Sequence, residues 1–393
     1  MLHNTFCRRL AALVLTLAVA VSAVLPVFAV YPMPVQTATE TEAVYLFNAD
    51  TGKTILSQNA DQQKYVASLT KLMTALLLVE SGKDLNGEVT VPTDLTQEFK
   101  DIQNANGTTM GLRIGETVRR IDLLNAMLIV SANDAASVIA WDVGGSVVGF
   151  VQQMNARAAE LGMTNTTFRN ACGLDTEGHL STARDVAVLS RYLLNTCPEL
   201  LHYTGIWTDS LRNGQTQLVN TNKLLRRYSG ITGLKTGTTS GAGVCISASA
   251  TRDGLTLIAV VLGSPSSADR FHSATTLLDY GFANYTAAPL PTLPERPLAL
   301  AVKGSVEDSV PLDYAALPET ILIEKETASA LRAELTLPEA LEAPVEKGRT
   351  VGKVSIFQDD TLLNEYEVKA AADAPLLTFG GALELLWQCL LGA

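Results

Sequence analysis

The sequence has few of the residues that build metal centres or disulfide scaffolds. Its 393 residues include only five cysteines and four histidines. Neither Cys-x-x-Cys nor His-Glu-x-x-His occurs, so metal catalysis is not indicated and we expect no metal and no cofactor. The low density and irregular spacing of the cysteines exclude a disulfide scaffold. We interpret all five as small buried hydrophobic residues and claim no disulfide pairing among them: Cys7, Cys172, Cys197, Cys245 and Cys389.

Basic residues are also in the minority. The chain has 29 Lys and Arg against 40 Asp and Glu, a formal net charge of −11. Proteins that bind nucleic acid neutralise its phosphates with Lys and Arg, so this acidic chain argues against a nucleic-acid partner.

The first 29 residues contain no acid and resemble a targeting segment. Arg8 and Arg9 precede an apolar run that ends at Val27-Phe28-Ala29, a small-x-small cleavage pattern. This order predicts a secretory signal peptide over residues 1–29 and therefore an exported protein. A retained membrane anchor is the alternative.

Hairpin signals flank a helical middle part. The turn residues Asp50-Thr51-Gly52 and Thr251-Arg252-Asp253-Gly254 each separate two apolar stretches, which predicts a β-hairpin at each place. Between them, residues 89–120 are expected to form short strands and loops. Helices are expected at 69–77, 121–129 and about 266–285, and over most of 146–196. The pattern predicts an α+β domain over 38–287, with helices grouped around an antiparallel sheet.

A different composition follows this domain. The proline-rich stretch AAPLPTLPERP, 287–297, predicts a linker, and 297–372 predict a small all-β, sandwich-like domain. Residues 375–393 predict an amphipathic helix that lies on a membrane surface. Docking of this helix onto the protein's own surface is the alternative. Its apolar face would carry Leu376, Phe379, Leu383, Leu386, Trp387 and Leu390.

Ser68 and Lys71 stand three residues apart at the start of the apolar stretch ASLTKLMTALL. Residues i and i+3 share a helix face, so the amine can reach the hydroxyl. A serine nucleophile needs a base, and lysine serves as one only when burial or a nearby cation lowers its pKa. We predict that Ser68 is the nucleophile and Lys71 its base, with the N–H groups of Ser68 and Thr238 as an oxyanion hole. A helix cap beside a solvated lysine is the structural alternative.

Ser131 and Asn133 flank one residue between two helical stretches, so their side chains can face one cleft. The hydroxyl can relay a proton between Lys71 and a leaving amine. The amide can hydrogen-bond Lys71 and a substrate amide. Capping of a helix that begins at Asp134 or Ala135 is the alternative, and both roles can coexist.

Lys235-Thr236-Gly237 is expected to open a strand, where the glycine lets a ligand approach the backbone closely. We expect Lys235 to bind a terminal carboxylate, with the hydroxyls of Thr236 and Thr239 as further donors. Arg270 is another candidate cation for that carboxylate.

The three motifs, in this order, resemble those of low-molecular-mass penicillin-binding proteins, specifically serine-type D-alanyl-D-alanine carboxypeptidases of the S11 peptidase family. The resemblance covers about residues 38–370. It extends to NACGLDTEGHLSTARDVA, 170–187, and to LLDYGFANY, 277–285. It implies a β-lactamase/transpeptidase-like catalytic domain at the outer face of the cytoplasmic membrane or in the cell wall space.

The resemblance also implies a reaction. Ser68 would attack the carbonyl between the two terminal D-alanines of a peptidoglycan stem peptide while Lys71 takes its proton. Ser131 would pass a proton to the leaving D-alanine, and water would then hydrolyse the acyl-enzyme. A β-lactam antibiotic would acylate the same serine.

Three other functions remain open at this point. A D,D-endopeptidase that cuts cross-links would share all three motifs. A β-lactamase needs a fast deacylating group, and its Glu-x-x-Leu-Asn pattern is missing from the sequence. A catalytically silent wall-binding or spore-envelope protein would not need Ser68, Lys71, Ser131 and Lys235 together.

Overall fold

The computed structural model describes residues 34–293, 295–325 and 331–391. The signal peptide predicted over 1–29 lies outside these residues. The strands are β1 (Ala43–Asn48), β2 (Thr54–Gln58), β3 (Glu88–Thr90), β4 (Thr117–Arg119), β5 (Thr208–Leu211), β6 (Thr216–Val219), β7 (Ile231–Thr239), β8 (Gly243–Arg252), β9 (Leu255–Ser264), β10 (Tyr285–Pro289), β11 (Ala299–Lys303), β12 (Ser309–Asp313), β13 (Thr320–Glu324), β14 (Leu331–Thr336), β15 (Leu341–Glu342), β16 (Thr350–Gln358) and β17 (Thr361–Ala370). The α-helices are α1 (Lys71–Glu80), α2 (Thr96–Asn104), α3 (Arg120–Ile129), α4 (Asn133–Gly144), α5 (Val147–Glu160), α6 (Ala183–Thr196), α7 (Glu199–Thr204), α8 (Ser267–Asn284) and α9 (Phe379–Leu391).

A five-stranded antiparallel sheet forms the centre of the first domain, in the order β2-β1-β9-β8-β7. Both predicted hairpins are confirmed: β1 pairs with β2, and β8 pairs with β9. Strands β8 and β9 are buried along most of their length because α6 and α8 pack against them. Strand β7 pairs only with β8 among the described strands, so its other edge is available.

The helices α1, α3 and α4 pack together in the main apolar core. Helix α1 is apolar on nearly every side, and the residues from Lys71 to Leu78 are all buried. A helix with this pattern belongs inside a protein, so its N-terminus carries Ser68 and Lys71 into the interior.

The expectation for the stretch before α3 was wrong. Residues 89–120, expected as strands and loops, contain the helix α2 between β3 and β4. Only Ile102 of α2 is buried. A helix that contributes one side chain to the core leaves too weak an apolar periodicity to recognise.

The second domain contains a six-stranded sheet in the order β14-β16-β17-β12-β11-β15. The residues Asp359 and Asp360 form the turn of the hairpin that joins β16 to β17. The predicted linker begins inside a strand, because β10 pairs with β13 of the second domain. The predicted domain limits, 38–287, 297–372 and 375–393, stay predictions.

The helix α9 lies within the segment predicted to be amphipathic and exposes large apolar side chains. Phe379 is 87% exposed, Trp387 64% and Leu390 75%. Within the described ranges, no single helix has the length and hydropathy that a membrane span needs. The bent pair α4 and α5 passes that test only jointly, with an angle of 83° between them.

The expected burial is confirmed for three of the cysteines. Cys172, Cys197 and Cys245 are buried and form no disulfide. The side chains of Cys7 and Cys389 lie outside the described part of the chain.

Candidate active site

A cleft of about 560 Å³ brings the three motifs together. It lies between the N-terminus of α1, the α3–α4 connection and strand β7. Eight of the predicted site residues line it: Ser68, Ser131, Asn133, Thr236, Gly237, Thr238, Thr239 and Arg270. Lys71 and Lys235 are 0% and 1% exposed. Lys71 hydrogen-bonds Ser68 and Asn133 of the cleft lining, and Lys235 hydrogen-bonds Thr236.

Ser68 lies in a single 3₁₀ turn, Ala67–Thr70, that leads directly into α1. Lys71 Nζ lies 2.8 Å from Ser68 Oγ, 2.6 Å from Asn133 Oδ1 and 2.7 Å from the carbonyl oxygen of Cys172. The last two oxygens are acceptors only, so they take the two hydrogens of a neutral amine. The lone pair of that amine then faces the Ser68 hydroxyl, as a general base requires.

Burial makes this amine easy to deprotonate. Removal from water, opposed by the nearby carboxylate of Asp134, lowers the pKa of Lys71 to about 8. The effect of neighbouring cations on a lysine pKa is found at Lys235. Burial and the charges of Lys71 and Arg270 hold the pKa of Lys235 well below its ordinary value.

Ser131 and Asn133 reach the cleft from opposite sides of a sharp bend. Ser131 has a φ of +67°, in the left-handed region that few residues other than glycine adopt. Its Oγ is buried and has no hydrogen-bond partner among the described residues. A buried hydroxyl without a partner is costly, and this one can serve an incoming group. Asn133 is the first residue of α4 rather than its cap.

Lys235 lies in the middle of β7, so the expectation that it opens the strand was wrong. The strand begins at Ile231 because Ile231, Gly233 and Leu234 already pair with β8. Lys235 Nζ donates to the carbonyl oxygen of Thr236, at 3.0 Å. A methyl group on Gly237 would lie 2.9 Å from the backbone nitrogen of Ser68, so a glycine is needed where β7 passes the nucleophile.

The hydroxyls of β7 have protein partners. Thr236 Oγ1 lies 2.6 Å from Thr221 Oγ1, and Thr239 Oγ1 donates to Asp175 Oδ1 at 2.6 Å. Thr238 donates to the carbonyl oxygen of Gly237 at 2.8 Å. The sequence reading missed Thr221 and Asp175, which both line the cleft.

Arg270 of α8 lies at the same cleft and is 6% exposed. Its Nη1 donates to the carbonyl oxygens of Gly237, at 2.9 Å, and Cys245, at 3.2 Å. Burial lowers the pKa of Arg270 to about 10, which leaves the guanidinium charged at neutral pH. The cleft therefore holds buried positive charge that an anionic ligand can neutralise.

A loop that the sequence reading did not assign to the site holds Lys71 in place. Thr74 Oγ1 donates to the carbonyl oxygen of Ala171 at 2.6 Å, and Cys172 supplies the carbonyl next to the amine. Gly173 has a φ of +86°, and a methyl group there would lie 1.9 Å from the carbonyl oxygen of Ala67.

His179 connects the same loop to the 3₁₀ turn that carries Ser68. Its Nδ1 accepts the N–H of Arg169 at 3.1 Å, so Nε2 carries the proton and donates to Thr70 Oγ1 at 2.8 Å. Burial lowers the pKa of His179 to about 4, which keeps the ring neutral at physiological pH. Within the described ranges, no group of His, Cys, Asp and Glu side chains is arranged to hold a metal ion.

Comparison with known proteins gives the same family for most of the chain. The D-alanyl-D-alanine carboxypeptidase family, peptidase S11, matches residues 32–266. The C-terminal domain of penicillin-binding protein 5 matches residues 299–375. The D-alanyl-D-alanine carboxypeptidase DacF of Bacillus subtilis is 33% identical over 347 residues, which cover 86% of this chain and 88% of that protein.

Solved structures of related proteins have a fold similar to that of this chain. Penicillin-binding protein 5 of Haemophilus influenzae aligns with a TM-score of 0.75 at 28% identity, over 87% of this chain and 99% of that one. Penicillin-binding protein D2 of Listeria monocytogenes, in its cefotaxime-bound form, aligns with a TM-score of 0.54 at 32% identity, over 63% of this chain and 99% of that one.

Proposed function

The chain belongs to the D-alanyl-D-alanine carboxypeptidase family of serine peptidases, and we propose that it removes the terminal D-alanine from peptidoglycan stem pentapeptides through an acyl-enzyme on Ser68. The observation that carries this proposal is the buried amine of Lys71, 2.8 Å from the Ser68 hydroxyl at the edge of the cleft.

Acylation begins with proton transfer from Ser68 to Lys71. A pKa of about 8 leaves roughly one Lys71 amine in ten neutral at pH 7. With the ordinary lysine pKa, roughly one amine in three thousand would be neutral at that pH. The freed alkoxide attacks the carbonyl between the two D-alanines. The backbone N–H groups of Ser68 and Thr238 stabilise the oxyanion that forms.

Release of D-alanine needs a proton on its nitrogen. The buried hydroxyl of Ser131 has no hydrogen-bond partner among the described residues. It receives a proton from Lys71 and passes its own proton to the leaving amine. Asn133 holds Lys71 and orients the substrate amide. Water then attacks the acyl-enzyme, with Lys71 again as the base.

The terminal carboxylate of the substrate binds at the cationic end of the cleft. It pairs with Lys235 and Arg270, and its negative charge opposes the lowering of the Lys235 pKa by burial, which favours the ammonium form. Thr236 adds a hydroxyl. A β-lactam carries a carboxylate in a similar place and acylates the same serine.

We propose that the enzyme works outside the cytoplasmic membrane, where peptidoglycan lies, in keeping with the signal peptide predicted over 1–29. The exposed apolar side chains of α9, among them Phe379 and Trp387, favour a place in the membrane interface. The sequence of α9, FGGALELLWQCLL, contains no Lys or Arg, so this binding would depend on apolar burial alone.

The activity is tested with a stem pentapeptide, a cross-linked dimer and a fluorescent penicillin. We expect D-alanine release from the pentapeptide and one covalent penicillin adduct. Ser68→Ala should abolish both, whereas Ser57→Ala, at an exposed position of β2, should change neither. Cleavage of the dimer with no release from the pentapeptide would instead identify an endopeptidase, and labelling that survives in Ser68→Ala would place the nucleophile elsewhere.

A further inference from the structure

Asp175 carries the one carboxylate among the described residues that line the cleft. Its side chain is exposed, accepts Thr239 Oγ1 at 2.6 Å and accepts the backbone N–H of Gly241 at 2.7 Å. It forms no ion pair with any Lys or Arg in the described part of the chain. Because each carboxylate oxygen has two lone pairs, both oxygens can take another donor.

In the proposed complex, where the terminal carboxylate favours the ammonium form of Lys235, the two ends of the β7 segment beside the cleft carry opposite charges. Lys235 lies at one end, and Thr239, which holds Asp175, lies four residues further along the strand. Strand residues advance about 3.3 Å each, so these ends are separated by roughly 13 Å. A ligand that is extended along the free edge of β7 would therefore meet a cation at one end and an anion at the other.

The proposed reaction fixes the direction of the peptide. Its terminal carboxylate lies at the Lys235 end and its scissile carbonyl lies beside Ser68, next to Gly237. The chain then continues towards Thr239. The residue that precedes the two D-alanines comes beside Thr238, since one further residue adds about 3.3 Å. A long side chain on that residue can span the one remaining residue step to Thr239 and Asp175.

We propose that Asp175 selects donor peptides that carry a free ammonium group on the side chain of the residue before the D-alanyl-D-alanine pair. This inference rests on the proposed carboxypeptidase function. Leu174, which also lines the cleft, offers an apolar surface for the methylene groups of a long amino side chain, while Asp175 pairs with its charged end. Asp175 is thus a specificity-determining residue.

Two synthetic donors test the proposal. Both are N-acyl-L-lysyl-D-alanyl-D-alanine, one with a free ε-amine and one with that amine acetylated. D-alanine release gives kcat/KM for each. We expect the wild type to prefer the free amine by about fivefold, since an ion pair to an exposed carboxylate is worth a modest amount. High salt should reduce the preference.

Variants connect the preference to its residue. Asp175→Asn should lower the ratio to about one, mainly through a lower kcat/KM for the free amine. Glu177→Gln, an equal charge change two residues away and outside the cleft lining, should keep the wild-type ratio. Because the ratio compares two donors on one enzyme, a general loss of activity from the contacts to Thr239 and Gly241 cancels.

The outcomes are distinct. Equal kcat/KM for both donors in the wild type, or an unchanged ratio in Asp175→Asn, overturns the role of Asp175 and leaves the carboxypeptidase function standing. No D-alanine release from either donor in the wild type overturns the proposed function, and the selectivity falls with it.

Discussion

Replacing Asn133 with aspartate changes the charge next to the proposed base with almost no change in shape. The amide oxygen lies 2.6 Å from Lys71 Nζ, so a carboxylate there would form a buried ion pair with the ammonium. A pairing of this kind raises the pKa of lysine by about 1–3 units. The neutral fraction of Lys71 at pH 7 then falls by about tenfold for each unit.

The assay is the second-order rate of acylation by a fluorescent penicillin between pH 6 and pH 11. In the wild type the rate should rise with pH to a plateau, with a midpoint near the pKa of Lys71, about 8, because the base must lose its proton. In Asn133→Asp we expect the midpoint to move up by about 1–3 units. The midpoint is more informative than the rate, because Asn133 also orients the substrate.

Asn106→Asp is the matched control. Asn106 lines the same cleft but is exposed and is not among the hydrogen-bond partners of the Lys71 amine, so solvent screens the added charge. Its midpoint should stay at the wild-type value. A midpoint in Asn133→Asp that equals the wild-type value, or lies below it, would refute the assignment of Lys71 as the base.

Three further predictions concern the cleft and the tail. Gly173→Ala puts a methyl group against the carbonyl oxygen of Ala67 at a φ of +86°, so urea denaturation should give a free energy of unfolding lower by about 2 kcal/mol or more. Arg270→Gln removes a buried cation, and kcat/KM for D-alanine release should fall by about tenfold or more while the fold, monitored by circular dichroism, persists. Replacing Phe379 and Trp387 of α9 with serine should weaken co-sedimentation with lipid vesicles by at least about tenfold, and binding equal to the wild type would exclude the membrane role of this face.

The strands and the nucleophile helix were predictable because local patterns encode them. The turns at Asp50–Gly52 and at Thr251–Gly254 are short-range signals, and both hairpins formed where expected. The Ser68 and Lys71 contact follows from helical spacing. Helix α2 was missed because Ile102 is its only buried residue, and the start of β7 was misplaced because pairing with β8, rather than local sequence, sets it.

Other site residues were not predictable because their contacts are long-range. Lys71 meets the carbonyl of Cys172 across a separation of 101 residues, and Thr70 meets His179 across 109. No spacing rule connects such positions. The chemistry of the side chain gave no signal either, because Asp175 is an ordinary loop aspartate until the fold places it beside Thr239.

A direct titration of Lys71 tests the central claim, that the amine facing the Ser68 hydroxyl loses its proton far more easily than an ordinary lysine. Lysines labelled with ¹³C at Cε report the protonation of each amine by NMR, and the Lys71 signal is identified by its loss in Lys71→Arg. We predict a midpoint near pH 8, shifted upward in Asn133→Asp. A Lys71 signal that titrates near the ordinary lysine value, above pH 10, would contradict the account.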